Sequence, residues 1–509
     1  MTALFQHQEV GARRVVSEPY LWIGDEMGNG KTLQAIEGAQ RLWEAGEIDQ
    51  VLVLAPSQVY RDVWADEDLG QLRDHVRVPS VVREYRPGRA RGWQTGVPGE
   101  PHRLSWLVGN YELIRSRRHL APLLEHVDAR TFLVLDESLA VQGTRSATTL
   151  AVWALRQKVR HVLLLNGTEG GGDTPASLYS QAKMMSSDIL SCRGFWDFRA
   201  RYAKMGGFRR PQKRFLNGKW QTVRVPCEVV EWVNLDDLWG RLRPHYLRRL
   251  KSECLDLPPK LPPVAVDVPL SRGTWATYQA MRRDAVAFLA GGVVSARQAG
   301  VRGLRLAQIT SGFLGGVQDL TDEGLPYGDP QTVEVGREKL EALIAWHACR
   351  LVQEPFLKLV VWCRFRAEAE RATLAFKQTL PEVQVSALIG GQGREDRQRA
   401  VALLKPETTP PGPVVVVGTE GSGAFGLNQA ACHTVVHLSG GFSHVIRTQT
   451  DDRPHRPGQT SPVSYFEFIA TGPDGQRTVD HHVIAQLRKK QDVARWGAAE
   501  WAQALREDY

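Results

Sequence analysis

Short apolar runs recur along this chain of 509 residues. They are rich in valine and leucine and do not alternate with polar residues, which is typical of strands buried on both faces of a parallel sheet. The runs lie at residues 20–23, 51–55, 132–135, 162–165, 359–362, 414–417 and 434–438. Because segments of helical character separate them, the pattern predicts an α/β fold.

The apolar runs form two groups, one before residue 170 and one after residue 355. Between the groups, amphipathic segments predict helices at residues 175–186, 235–249, 272–290 and 301–312. A proline-rich tract at 257–263 is interpreted as a connector, because prolines interrupt regular elements. We therefore predict five regions: a first lobe at 1–175, a helical insertion that returns to this lobe at 176–256, a connector with a second insertion at 257–335, a second lobe at 336–490, and a tail at 491–509.

The composition is that of an ordinary globular protein, with 42% hydrophobic and 24% charged residues. No apolar run of the sequence reaches membrane-spanning length, and the first fourteen residues lack the apolar segment of a signal peptide. We therefore expect a cytoplasmic protein without a membrane partner.

The formal net charge of +8 favours a polyanionic partner, and one segment is especially basic. Between Arg199 and Lys219 there are eight basic residues and no acidic one, with aromatic residues such as Tyr202 interleaved. This composition indicates a surface that follows a phosphate backbone and offers stacking groups. The alternative is a solvated loop or hairpin. The residues that we expect to bind nucleic acid are Arg209, Arg210, Lys213 and Arg214.

A glycine-rich loop at residues 24–32 carries the clearest chemical signal. It follows the run at 20–23 and precedes a helical segment, so that backbone N–H groups and a helix N-terminus point at one spot, which suits a polyphosphate. Lys31 can reach the β- and γ-phosphates, and the hydroxyl of Thr32 can ligate Mg²⁺. The alternative is an ordinary glycine-rich turn. The residues predicted to bind the nucleotide here are Asp25, Gly28, Gly30, Lys31 and Thr32.

An acidic pair closes the run at 132–135. Acidic residues at the carboxyl end of a strand face the crevice in which open α/β sheets bind ligands. Asp136 is therefore expected to hold Mg²⁺, and Glu137 to orient and deprotonate the hydrolytic water. About twenty residues before the glycine-rich loop, Gln8 carries an amide that can read the edge of an adenine.

A second cluster of candidate residues lies near the end of the chain. Gln449, Arg453 and Arg456 are spaced so that one helical turn would place them on a common face. A pair of guanidinium groups suits the γ-phosphate oxygens, where charge accumulates in the transition state. Upstream, residues 423–428 form a glycine-containing loop, and Gly426 is predicted to contact the nucleotide.

Taken in order, these motifs resemble those of the Swi/Snf family of DNA-dependent ATPases, which are motors of helicase superfamily two. The segment 25–32 resembles the family's Asp-Glu-Met-Gly-x-Gly-Lys-Thr, which accounts for the aspartate at position 25. Gln8 corresponds to the adenine-reading glutamine of the family, and Asp136-Glu137 to its magnesium and water motif.

The resemblance continues through the rest of the chain. Residues 55–57, followed by Trp64, resemble the next motif of the family, and 165–169 resemble its Leu-Thr-Gly-Thr-Pro. Residues 246–260 are close to a segment peculiar to the family, and 449–459 match its arginine motif almost position for position. The similarity spans roughly residues 4–490.

Three residues depart from the family pattern. Leu139 stands where the family often has histidine, Asn166 replaces threonine, and Glu169 replaces proline. The residues expected to act in hydrolysis are all present. We therefore expect ATP hydrolysis to be retained and its coupling to nucleic acid to be affected.

The resemblance implies two tandem RecA-like, parallel-sheet lobes of the P-loop NTPase class, with helical insertions between them and with ATP and Mg²⁺ in the cleft between the lobes. It gives Arg453 and Arg456 the role of arginine fingers, which typically contribute about 10³–10⁵ in rate. DNA would be held through its phosphates, without strong sequence preference. Targeting would come from a partner protein, and the motor is expected to be monomeric.

Three functions are compatible with these observations. The first is an ATP-driven translocase on double-stranded DNA, which the resemblance favours because family members generally move without unwinding. The second is a helicase that separates strands of DNA or RNA. The third is a nucleotide-gated DNA-binding scaffold with little turnover. The compact size suits a motor of a phage or bacterial host cell.

Overall fold

The computed structural model describes residues 4–57, 60–67, 70–86, 92–94, 102–167, 175–216, 219–290, 296–320, 326–423 and 428–489. The chain divides into two compact units, Met1–Leu255 and Asp256–Tyr509. The tail predicted at 491–509 lies outside the described residues. Within the described ranges, no helix is both long and apolar enough to cross a membrane.

A mainly parallel sheet organises the first unit. Its described strands are β1 Tyr20–Ile23, β2 Gln50–Ala55, β3 Ser80–Glu84, β4 Gly92–Gln94, β5 Leu104–Asn110, β6 Thr131–Leu135, β7 His161–Leu165, β8 Ala203–Leu216, β9 Lys219–Trp232 and β10 Tyr246–Leu247. Eight of these form one sheet in the order β10-β1-β7-β6-β2-β5-β3-β4. Neighbouring strands are parallel except for the edge pair β3 and β4.

The helices of the first unit connect these strands. Those described are α1 Gln6–Ser17, α2 Lys31–Glu44, α3 Gln71–His75, α4 Arg117–His126, α5 Ala147–Arg156, α6 Pro175–Met185, α7 Phe195–Tyr202, α8 Leu235–Leu242 and α9 Lys251–Cys254. Short π- or 3₁₀-helical turns occur at Tyr60–Ala65, Leu113–Arg115, Ser138–Val141 and Arg243–His245. Strands β6 and β7 are buried at every position, as their unbroken apolar runs predict.

The second unit contains a parallel sheet of its own. Its described strands are β11 Val264–Pro269, β12 Phe313–Leu320, β13 Pro326–Glu334, β14 Lys358–Cys363, β15 Gln384–Leu388, β16 Val414–Thr419, β17 Thr434–His437 and β18 Ser464–Thr471. Six of them form the sheet β11-β18-β17-β14-β16-β15, with every pair parallel. The prediction of two parallel-sheet α/β lobes is therefore confirmed.

The helices of the second unit include longer ones, up to the 19 residues of Arg272–Ala290. Those described are α10 Arg272–Ala290, α11 Ala296–Thr310, α12 Glu338–Gln353, α13 Arg366–Thr379, α14 Arg394–Leu404, α15 Glu420–Gly423, α16 His444–Asp451 and α17 Val479–Arg488. An apolar core built from β14, β16, β17 and the flanking α13 contains Val361, Val417, Val436 and Phe376.

Two antiparallel hairpins stand apart from the main sheets. One pairs β12 with β13, and the other pairs β8 with β9. The second hairpin contains most of the basic segment, so that segment is extended rather than helical. Tyr202, which precedes it, is fully buried and donates a hydrogen bond of 2.6 Å to Asp237, so it is not a stacking group for a ligand.

The helix predicted at 235–249 is shorter than expected. It ends at Leu242 and is followed by a 3₁₀ turn and then by β10. Pro244 lacks a backbone N–H and so cannot continue the hydrogen-bond pattern of the α-helix, which explains the early end. The next residues pair with β1 instead, with Tyr246 opposite Trp22.

Candidate functional site

Three adjacent strands of the first unit end at the predicted phosphate site. Strand β7 lies between β1 and β6, with Leu165 opposite Ile23 and Leu164 opposite Leu135. Adjacent strands are about 5 Å apart, and parallel strands end at the same edge of a sheet. The glycine-rich loop after β1, Gly167 after β7 and Asp136 after β6 are therefore neighbours.

The conformation of the glycine-rich loop requires its glycines. Gly28 and Gly30 have φ angles of 94° and 72°, a left-handed region that favours glycine over other residues. A β carbon on Gly30 would lie 2.3 Å from Nε2 of Gln8, so no larger residue fits there without displacement. Helix α2 begins directly after Gly30, at Lys31. The loop thus leads into a helix N-terminus, which is the arrangement that binds phosphate.

The ammonium group of Lys31 is held over this loop. Its Nζ donates to the carbonyl oxygens of Asp25 at 2.8 Å and Glu26 at 3.4 Å. A β carbon built on Gly167 would lie 3.4 Å from the same Nζ, so the end of β7 also reaches this point. The positive charge therefore lies where the glycine-rich loop and the end of β7 converge, which fits the predicted phosphate contact.

Asp25 supports the loop instead of facing a ligand. Its carboxylate is fully buried and accepts hydrogen bonds from Nε of Arg249 at 2.9 Å and from Nε2 of Gln34 at 3.1 Å. Because this carboxylate has no exposed surface and accepts three hydrogen bonds from Arg249 and Gln34, we correct the predicted nucleotide contact of Asp25 to a role in holding the loop.

Gln8 is also tied to the loop. It is buried, its Oε1 accepts from the backbone N–H of Phe5 at 3.1 Å, and its Nε2 donates to the carbonyl of Asn29 at 3.4 Å. The amide is thus close to the phosphate loop, as the resemblance implies, and its reading of adenine stays a prediction.

The acidic pair after β6 has a well-defined environment. Asp136 is buried, its Oδ2 accepts from Nε1 of Trp64 at 2.8 Å, and its Oδ1 accepts from the backbone N–H of Glu137 at 3.0 Å. The hydroxyl of Tyr111 donates to the carbonyl of Asp136 at 2.9 Å. Trp64 therefore holds the carboxylate that is expected to bind the metal, and Tyr111 holds the backbone of the same residue.

Two further features of the acidic pair are the backbone conformation of Glu137 and the protonation state of Tyr111. Glu137 has φ 47° and ψ 56°, a left-handed conformation that is costly for a residue with a side chain and that is enriched at functional sites. Burial, followed by the charges of Asp136 and Glu137, raises the pKa of Tyr111 well above its usual range. Tyr111 therefore remains a neutral hydrogen-bond donor.

The oxygen donors present fit a magnesium ion that arrives with a nucleotide. Thr32 and Asp136 offer hydroxyl and carboxylate oxygens, the ligands that Mg²⁺ prefers. In the part of the chain that the structure describes, no group of three or more His, Cys, Asp or Glu side chains forms a metal cage. Mg²⁺ is commonly bound by one or two protein oxygens together with substrate phosphates, which agrees with this sparse set.

In the second unit, the candidate arginines lie on a turn and not on a helix. Helix α16 contains Gln449 but ends at Asp451, so the predicted common helical face of Gln449, Arg453 and Arg456 is wrong. Pro454 lacks an N–H and disfavours a helical conformation at the residue before it. After the helix the chain makes hydrogen bonds typical of turns, and the N–H of Arg453 donates to the carbonyl of Thr450 at 3.2 Å.

This arginine segment is nevertheless firmly held. Arg453 is 5% exposed, and Nε of Arg456 donates to the carbonyl of Asp452 at 3.4 Å. Burial lowers the pKa of Arg456 to about 10, against the opposing charge of Asp452, so it remains cationic at neutral pH. Nε2 of Gln459 donates to the carbonyl of Cys432 at 2.9 Å and closes the segment.

Beside the arginine segment lies a charged cluster that sequence patterns did not indicate. Arg447 on α16 pairs with Asp451 at 3.1 Å and with Glu467 at 2.8 Å. His437, at the end of β17, contacts Asp451 at 2.8 Å and Glu420 at 3.3 Å. We call these five residues the buried charge cluster.

Within the buried charge cluster, neighbouring charges shift the pKa values of Asp451 and His437. Burial disfavours the charged form of Asp451, but Arg447 and His437 outweigh it and lower the pKa of Asp451 to about 2. The pKa of His437 is raised because Asp451 and Glu420 outweigh its burial and the charge of Arg447. His437, a titratable residue within the mainly apolar run 434–438, was the available sequence signal for this cluster.

Several predicted residues cannot be placed in full. Gly426 and Glu169 lie outside the described residues. The backbones of Arg209, Arg210, Lys213 and Arg214 lie on β8, opposite Pro226, Val225, Thr222 and Gln221 of β9, while their side chains are outside the described set. Leu139 lies on the 3₁₀ turn after Glu137, and the N–H of Asn166 donates to the carbonyl of Ile23 at 3.1 Å.

A parallel sheet with a lysine-bearing phosphate loop after its first strand, and an acidic pair after a neighbouring strand, defines a P-loop nucleotide-binding protein. The SNF2-related domain family matches residues 19–309. The chain therefore belongs to the SNF2-related family, in agreement with the resemblance of its motifs.

Two curated relatives and one solved structure are similar to this chain over most of its length. The chain is 22% identical over 496 residues to the nuclear protein STH1/NPS1 of Saccharomyces cerevisiae, covering 92% of this chain and 33% of that protein. It is 24% identical over 491 residues to the DNA annealing helicase and endonuclease ZRANB3 of Mus musculus, covering 92% and 38%. It thus spans little more than a third of the length of these relatives. The Sulfolobus solfataricus SWI2/SNF2 ATPase core in complex with dsDNA matches at 18% identity and a TM-score of 0.39, covering 99% of this chain and 94% of that one.

Proposed function

We propose that this chain is an ATP-driven motor that moves along double-stranded DNA without separating its strands. The observation that carries the proposal is the convergence, at one edge of the first sheet, of a phosphate loop, a lysine and an acidic pair. Lys31 donates from the loop, and Asp136 and Glu137 follow a strand two positions away in the same sheet. Membership of the SNF2-related family supports DNA as the polymer along which the motor moves when it hydrolyses ATP.

Each group has a distinct part in the proposed reaction. Lys31 and the N–H groups of the loop bind the β- and γ-phosphates, and Thr32 with Asp136 holds Mg²⁺. The ion neutralises phosphate charge when bound. Glu137 accepts the proton of the attacking water, and Arg453 and Arg456 stabilise the charge that develops on the γ-phosphate oxygens.

DNA binding is assigned to the hairpin of β8 and β9. Its sequence carries Arg209, Arg210, Lys213 and Arg214, and phosphate contacts of this kind hold a duplex without reading its bases. A sequence-independent grip suits a motor that must step from one position to the next. A targeting partner and a monomeric state remain part of the proposal.

ATPase rates measured with duplex DNA, single-stranded DNA, RNA or no nucleic acid test this function. We expect strong stimulation by duplex DNA in the wild type. Lys31→Ala should abolish it by removing the phosphate contact, and Glu137→Gln should abolish it by removing the base. Glu125→Gln, on the exposed surface of α4, is the matched control and should hydrolyse ATP normally.

The outcome also separates the alternatives. Absence of turnover with every nucleic acid would leave the nucleotide-gated scaffold as the better explanation. Efficient release of a strand from a tailed duplex would identify a strand-separating helicase instead of a translocase.

A further inference from the structure

Arg249 joins three segments of the first unit that are far apart in the sequence. Its guanidinium group contacts the carboxylate of Asp25 in the phosphate loop, Oε1 of Gln34 on α2 at 2.8 Å, and the carbonyl of His7 on α1. It lies in the segment between β10 and α9, more than 200 residues after the loop. One side chain thus links the loop, the helix that the loop begins, and the first helix of the chain.

The contact with Asp25 is a buried ion pair of favourable geometry. Asp25 is fully buried, and Nε and Nη2 of Arg249 each approach one of its carboxylate oxygens. Such a two-point pairing is stronger and more directional than a single contact, and only arginine has the fork that forms it. Nε2 of Gln34 adds a third hydrogen bond, at 3.1 Å. The side chain of Asp25 therefore has one well-determined position.

The main chain around Arg249 holds the other side of the loop. The carbonyl of Arg249 accepts from the N–H of Glu26 at 2.9 Å and from Nδ2 of Asn29 at 3.0 Å. The N–H of Lys251 donates to Oε2 of Glu26 at 2.8 Å, and the N–H of Gly24 donates to the carbonyl of Leu247 at 2.7 Å. The segment that contains Arg249 thus runs along the loop from its first residue to Asn29.

Asp25 connects this support to the phosphate-binding lysine. Its side chain binds Arg249, while its carbonyl oxygen accepts from Nζ of Lys31 at 2.8 Å. A change in the orientation of Asp25 therefore moves the carbonyl that positions the ammonium group.

We propose that Arg249 is a positioning residue for ATP binding, and that the segment 246–251 is a brace that holds the phosphate loop in its binding conformation. The proposal rests on the assignment of this loop to ATP. The brace precedes the boundary between the two units by only a few residues, after Leu255. The last part of the first unit is thereby attached directly to the nucleotide site.

The test is the affinity for Mg·ATP, read from the rise in the thermal unfolding midpoint that the nucleotide causes, together with kcat and KM for ATP hydrolysis. Arg249→Ala should raise the dissociation constant and KM at least tenfold, with a smaller change in kcat. Arg249→Lys should restore part of the affinity, because an ammonium group keeps the charge but lacks the fork. Variants of Arg249 that are less stable than the wild type but bind Mg·ATP with the same affinity would overturn the proposal.

A neutral double variant keeps the test valid if the single variants fold poorly. Asp25→Asn combined with Arg249→Met leaves no unpaired buried charge, so it should fold, and it should still bind Mg·ATP at least tenfold more weakly than the wild type. Wild-type affinity in this double variant would contradict the brace.

The control is Arg241→Ala. In the wild type, the guanidinium group of Arg241 pairs at 3.0 Å with Asp237, one turn away on the surface of α8. Arg241→Ala should change the dissociation constant less than twofold. Because the main readout is nucleotide binding, it remains informative if the wild type binds ATP without hydrolysing it on DNA. That result would contradict the proposed motor and leave the role of Arg249 to be decided by the affinities of the variants.

Discussion

The phosphate loop of the first unit and the arginine segment of the second hold their charged side chains in different ways. The loop directly follows a buried strand, and its shape comes from Gly28 and Gly30 and from a brace that is remote in the sequence. The arginine segment follows a short helix that ends before Pro454, and the buried charge cluster beside it comes from residues within about fifty positions. A site of the first kind depends on backbone conformation, and a site of the second kind depends on electrostatic balance.

The difference predicts where each unit is most vulnerable. Changes in the loop should affect nucleotide binding, because they alter the groups that surround the phosphates. Changes in the arginine segment should affect turnover or stability, because they alter charges without altering the loop. The following variants test this contrast, in order of decreasing expected effect.

Arg456→Ala should cause the largest loss. An arginine that stabilises charge on a transferring phosphoryl group contributes about 10³–10⁵ in rate, so DNA-stimulated turnover should fall by a factor in this range. The rise in unfolding midpoint caused by Mg·ATP should persist, because the phosphate loop is intact. Arg399→Ala, at an exposed ion pair with Asp396, is the control and should keep full activity. Loss of nucleotide binding in Arg456→Ala would remove the contrast between the units.

Arg447→Met should mainly reduce stability. Arg447 is 6% exposed and pairs with both Asp451 and Glu467, so its removal leaves the buried carboxylate of Glu467 and the partly buried carboxylate of Asp451 without this partner. Breaking a buried pair in this way typically costs about 3–5 kcal/mol of unfolding free energy, measurable by urea denaturation. Arg366→Met, from an exposed pair with Glu370, should cost less than about 1 kcal/mol. Equal losses in the two variants would argue against a stabilising charge cluster.

Glu368 should give the second unit a distinctive pH dependence. Burial raises the pKa of this carboxyl to about 7, although Lys339 and a hydrogen bond from Ser439 oppose the shift. Because the folded pKa lies above the ordinary value near 4.5, the stabilising contribution is complete below that value and is lost as pH rises through 7. Between pH 5 and pH 8, Glu368→Gln should therefore gain thermal stability relative to the wild type. A difference between the two proteins that is constant with pH would contradict this assignment.

The basic hairpin should produce the smallest and most gradual effect. Replacing Arg209, Arg210, Lys213 and Arg214 with glutamine should weaken duplex binding and flatten its salt dependence. The slope of log K against log salt should change by about 0.9 for each DNA phosphate that the variant no longer neutralises. An unchanged slope would identify the hairpin as a solvated structure that does not bind DNA.

Much of the fold and part of the site could be predicted from the sequence. The runs at 132–135 and 162–165 are strands buried at every position, and unbroken apolar runs of this kind are distinctive. Strand β5 was not predicted, because buried and partly buried positions are mixed along it and its pairing with β2 and β3 is set by tertiary structure. Strand β15 was missed for a related reason, since an edge strand has little continuous apolar sequence.

Site residues that a local sequence pattern marks could be predicted, whereas those that depend on a partner remote in the sequence could not. Lys31 and Asp136 are local to a strand end and could be predicted from position. Arg249 belongs to a segment that the family resemblance singled out, but its partner Asp25 is more than 200 residues away and no local pattern joins them. The spacing of Arg453 and Arg456 predicts a common helical face, but α16 ends before both of them, shortly before the proline that lies between them.

The most direct test of the proposed motor is displacement of a third strand from a DNA triplex. A short oligonucleotide is bound in the major groove of a duplex, and its release by the protein is followed with ATP present. We expect ATP-dependent release with the duplex strands remaining paired, and no release by Lys31→Ala or Arg456→Ala. ATP hydrolysis without release of the third strand, or release only with separation of the duplex, would contradict translocation on double-stranded DNA.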